Sequence, residues 1–114
     1  MKSLLDKFKY AFRGLILGFL DHSIQLQLGL MVIAIIAGFI FHFTLLEWCV
    51  LLLCCVLVVC LEFVNTVLER IADFVEPSKH EKIRDIKDMG AGFVLFASIV
   101  VLIVGMLLVG SKLL

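Results

Sequence analysis

Glu62, Asn65, Glu69 and Asp73 follow the apolar run that ends at Cys60, separated by three, four and four residues. At about 100° per residue they fall within an arc of roughly 80° on one helix face. Carboxylates at membrane depth are costly and are kept for function. Like charges stacked one turn apart repel, so protons or a cation must neutralise them. Hard divalent cations suit such an oxygen-rich column. Further along, Lys87-Asp88-Met89-Gly90 stands where the third apolar run begins. A lysine at a helix entrance, beside unsatisfied N–H groups, suits an anion such as phosphate. A metal, a cationic clamp and a carboxylate that accepts a hydroxyl proton are the minimal equipment for phosphoryl transfer. Spacing alone equally fits a plainer reading, in which Lys87 and Asp88 only cap the span.

The elements that position these groups are read from hydropathy. The chain has 114 residues, 63% of them hydrophobic, with a single proline, and a mean hydropathy of +1.19. That excess over soluble domains marks a membrane protein. Three continuous apolar runs, without strand alternation, are each near the ~20 residues that cross the hydrocarbon as a helix. The expected fold is an all-α membrane protein in one integral-membrane domain, residues 1–114. It has a surface helix at about 3–20 and spans at about 24–43, 45–75 and 88–110. Leu4, Leu5, Phe8, Phe12, Leu15 and Phe19 line one side of the first helix, as in a helix lying in the bilayer surface. Gly14 and Gly18 form a GxxxG pair that permits close helix approach.

Lys2, Lys7, Lys9 and Arg13 precede the first span, and Lys79, Lys82, Arg84 and Lys87 lie between the second and third. The turn near His42–Glu47 has no Lys or Arg. The positive-inside rule puts the N-terminus and the second loop in the cytoplasm, so the chain is expected to be a multi-pass protein of the inner, cytoplasmic membrane. Formal net charge is zero, and nothing suggests a nucleic-acid partner. Cys49, Cys54, Cys55 and Cys60 lack zinc-ligand spacing and read as small hydrophobes packed between helices. GMLLVGSKL at Gly105–Leu113 imitates a Walker A loop, but its lysine is one place late and the strand–loop–helix context is missing.

Taken together, ExxNTxxE at Glu62–Glu69, Asp73, His80, KDMG at Lys87–Gly90 and YAFRGL near the N-terminus resemble the prokaryotic diacylglycerol kinase and undecaprenol kinase family. The resemblance covers nearly the whole chain. It implies a small integral-membrane homotrimer that uses MgATP at active sites shared between subunits. Glu62 is then the general base facing the lipid hydroxyl, with Asn65 orienting its neighbours. Glu69 binds the Mg2+ that bridges the ATP phosphates, and Lys87 contacts the transferred phosphate with Asp88 in support. Tyr10, Asp73 and His80 lie by the nucleotide. The family's usual glutamate at the start of span one, a second metal ligand, is absent. Ungapped counting from Gly14 puts His22 there, and a slip of one residue gives the metal-ligand role to Asp21. The acceptor implied is a lipid alcohol, undecaprenol first and diacylglycerol second.

A non-enzymatic ion or proton conductor is the reading from another class. It needs polar lining through the full membrane depth, whereas the column stops at Glu62 and the eleven residues Val50–Cys60 are apolar.

Overall fold

The computed structural model describes residues 3–114, so Lys2, counted among the N-terminal basic residues, lies outside the described part. Four helices follow one another: α1 Leu4–Phe19, α2 His22–Ile40, α3 Leu45–Val75 and α4 Glu81–Leu113. The last three are long and apolar enough to cross a membrane. This is an all-helical membrane protein with three spans and a separate N-terminal helix. The molecule is flat, 52 × 40 × 18 Å, with α3 in the middle, packed most extensively on α4 and then on α2.

Each helix starts where the sequence supplies a cap. Ser3 accepts the Asp6 N–H, Asp21 accepts those of Ser23 and Ile24, and His80 accepts that of Lys82. Thr44 and Glu47 form a reciprocal capping box at α3. Glu47 also receives Lys112 Nζ at 2.6 Å, tying the end of α4 to the start of α3. No residue of α1 is buried, which leaves its apolar side free to lie on lipid. Its C-terminal end is held where the Phe19 ring meets Phe63 of α3 edge-on, centroids 5.8 Å apart. A side chain at Gly18 would collide with that Phe63 ring, whereas Gly14 faces open space. Only one glycine of the expected pair serves a close approach.

α2 runs from His22 to Ile40, a little earlier at both ends than the apolar run suggests. Asp21 starts it, and a left-handed residue stops it: His42 has φ 54°. There the Phe43 N–H reaches Gly38 O and the His42 N–H reaches Phe39 O, the six-to-one and five-to-two bonds of a Schellman stop. A branched side chain is poorly tolerated in that conformation. His42→Val is expected to be less stable than His42→Gly by about 1–2 kcal/mol, measured by denaturation in micelles. Equal stability of the two variants would show that the turn relaxes.

α4 differs more from expectation. It begins at Glu81 rather than near residue 88, so half of the supposed loop is helix. Hydropathy marks where lipid begins, not where hydrogen bonding begins, and EKIRDIK continues the α4 helix as a polar extension outside the apolar zone. α3 ends at Val75, before Pro77. The cysteines pack less uniformly than expected: Cys55 is buried, but Cys49 and Cys60 are exposed, and all four are free.

Candidate active site

α3 carries the acidic column and sorts it by depth. Glu62 and Asn65 are buried, at 8% and 6% exposure, Glu69 is half-buried and Asp73 is exposed. The column spans about 16 Å along the helix at 1.5 Å per residue. Asn65 Nδ2 donates to Glu69 Oε1 at 2.8 Å, fixing one oxygen of that carboxylate. Lys87 of α4 forms an ion pair with Asp73, so the lysine expected to meet phosphate lies beside the exposed end of the column. Gly90, one turn further along α4, lies against the Asn65 amide.

Lys87 and Asp88 are not at a helix entrance. They are the seventh and eighth residues of α4, about 9 Å beyond its start. The unsatisfied N–H groups belong instead to the turn after His80. That turn borders a cleft of about 680 Å³ between the end of α3 and the beginning of α4. Asp73, His80, Lys87 and Asp88 line it together, joined by Lys79 and Arg84, which the sequence marked only as part of the basic loop. The preceding turn is tied down by Glu76, whose carboxylate accepts from the Ser78 hydroxyl at 2.6 Å and the Ser78 N–H. These bonds hold the Glu76 carboxyl below its ordinary range. Tyr10 is exposed on α1 and does not line this cleft.

The other flank of the column was not anticipated. Thr66 and Arg70 follow Glu62 at successive four-residue steps and meet the junction between α1 and α2. The Thr66 hydroxyl reaches Asp21 Oδ2 at 3.5 Å, and Arg70 lies 3.5 Å from Asp21 Oδ1. The i, i+4 series was visible in the sequence. What it would face was not.

This geometry bears on a divalent cation. Glu69 offers a carboxylate with a second oxygen not used by Asn65, and it lies on one face with Glu62 and Asp73, all hard oxygen donors of the kind Mg2+ takes. Glu69 therefore fits in kind. Asp21 is already engaged: one oxygen caps α2 and meets Thr66, and the other lies 3.5 Å from Arg70. His22, the other candidate, is exposed on the first turn of α2. Among the described residues no cluster of three His, Cys, Asp or Glu side chains closes around one point.

A family profile described as prokaryotic diacylglycerol kinase matches residues 9–109. The chain belongs to the prokaryotic diacylglycerol kinase family. It is similar to a diacylglycerol kinase of Synechocystis sp., 36% identical over 105 residues. That match covers 90% of this chain and 60% of the relative, so the chain spans about 60% of that protein's length. No solved structure matches. For the family, the match takes in every candidate residue named above, from Tyr10 to Asp88.

Proposed function

We propose that this chain is an ATP-dependent lipid kinase that phosphorylates a membrane lipid alcohol at the cytoplasmic interface. The observation that carries the reading is the buried Glu62 beneath an Asn65–Glu69 hydrogen bond, with Lys87 held at the outer end of the same column. A buried carboxylate at the edge of the apolar zone is well placed to take the proton of a hydroxyl that arrives from the bilayer. Glu69 would hold Mg2+ with ATP, and the ion would supply charge neutralisation on the β- and γ-phosphates. Asn65 orients Glu69. Lys87 leaves Asp73 for the transferred phosphate, and His80, Lys79 and Arg84 border the space for the rest of the nucleotide. Subunits of a homotrimer would close the site, because in one chain the column remains open to one side.

An apolar groove of about 330 Å³ between α2, α3 and α4 supports a long-chain acceptor. Leu51, Cys55 and Val58 line it and share the face of α3 that carries Glu62, so a chain lying there would bring its hydroxyl to that carboxylate. Both undecaprenol and diacylglycerol present a primary alcohol at this depth. Undecaprenol is the first reading, from the sequence around Glu47-Trp48. Diacylglycerol is the second, favoured by the name of the Synechocystis relative. Assays with labelled ATP and each lipid supplied separately in micelles decide between them. Label entering undecaprenol supports the first, label entering only diacylglycerol replaces it with the second, and label in neither removes the kinase reading.

Lys87→Ala tests the nucleotide end. Its partner Asp73 is exposed, so loss of the pair should change stability by less than about 1 kcal/mol. MgATP affinity should fall by about tenfold, the loss of one charge-assisted contact. Unchanged affinity by equilibrium binding would remove Lys87 from the site.

A further inference from the structure

We propose that Gly90 is a positioning residue for the acidic column: lacking a Cβ, it lets α4 lie against the Asn65 amide, which in turn holds Glu69. The contact stands by itself, and only the use made of Glu69 rests on the lipid kinase reading. Asn65 is 6% exposed. Its Oδ1 is buried and accepts no hydrogen bond, while its Nδ2 donates to Glu69. A Cβ built at Gly90 would run into that Oδ1. The amide is therefore pinned from two sides, by Glu69 through a hydrogen bond and by the Gly90 backbone through contact with its oxygen, where a Cα–H is the natural neighbour of a carbonyl.

The proximity is specific to this turn. Gly92, two residues on in the same helix, has nothing within 4 Å of where its Cβ would lie. A glycine inside a helix is otherwise a liability, since alanine is the better helix former. At Gly92 alanine should therefore be neutral or stabilising. At Gly90 the added methyl must swing Asn65 away, and with it the donor to Glu69. Fixing the orientation of a metal-binding carboxylate is a role whose loss typically costs about 10–100-fold in metal affinity.

The test compares full-length wild type, Gly90→Ala, Asn65→Ala, the double variant and Gly92→Ala in micelles. Melting midpoint and Mn2+ affinity, the latter by electron paramagnetic resonance, are read on each. Gly90→Ala is expected to lower the midpoint and to weaken Mn2+ by about 10–100-fold. In the Asn65→Ala background the same change should raise or leave the midpoint, as at Gly92, and should alter Mn2+ affinity by less than about twofold. If Gly90→Ala does not fold, the double variant must restore folding. A Gly90→Ala protein that matches wild type, or equal losses in both backgrounds, would overturn the proposal. Wild type that binds no Mn2+ while the melting data remain coupled would remove Glu69 as a metal ligand of the free protein and leave the contact standing.

Discussion

Glu62→Gln is expected to reduce turnover by about 10²–10⁴-fold while leaving MgATP affinity close to wild type. The substitution keeps shape and burial and removes only the capacity to take a proton. Glu62 lies on the buried end of the column, about 10 Å along α3 from Glu69, so the nucleotide end should not sense the change. A kcat loss without a KM change for MgATP separates a base from a metal ligand. Steady-state kinetics with saturating lipid check it. Wild-type turnover in Glu62→Gln would move the base elsewhere.

Glu69→Ala should have the second large effect, through two causes. It removes the carboxylate proposed to hold the cation, and it leaves Asn65 Nδ2, already in a residue with an orphaned Oδ1, without its acceptor. Leaving that buried donor unsatisfied costs about 1–3 kcal/mol, and MgATP affinity should fall by at least about tenfold. Glu69→Gln separates the two causes. Its amide oxygen still accepts from Asn65, so stability should be close to wild type while MgATP affinity stays low. Equal affinity in Glu69→Gln and wild type, by equilibrium binding, would mean that the charge of Glu69 is not used.

The three spans and the separate N-terminal helix were legible because lipid contact imposes long, unambiguous patterns on the chain. The column was legible for the same reason: Glu62, Asn65, Glu69 and Asp73 repeat at the helical period. What lies opposite each face was not. Asp21 reads as a stand-in metal ligand at the start of span one, and in the structure its oxygens meet Thr66 and Arg70. That depends on how the α1–α2 junction folds over α3, and hydropathy carries no such information. The start of α4 was missed because a polar helix emerging from lipid looks like a loop in a hydropathy plot. His80 followed by Glu81 was the available signal, a weak cap before an acidic first turn. Gly90 stood in a motif whose lysine and aspartate drew the chemical reading, and its contact with Asn65 needed the two helices side by side.

The most direct measurement of the central claim is 31P NMR of the wild-type protein in lipid vesicles containing undecaprenol and diacylglycerol, supplied with MgATP. The account predicts that the γ-phosphate signal falls while a phosphomonoester grows in the lipid phase in step with ADP. ATP left intact, or ADP accompanied only by inorganic phosphate, would contradict it.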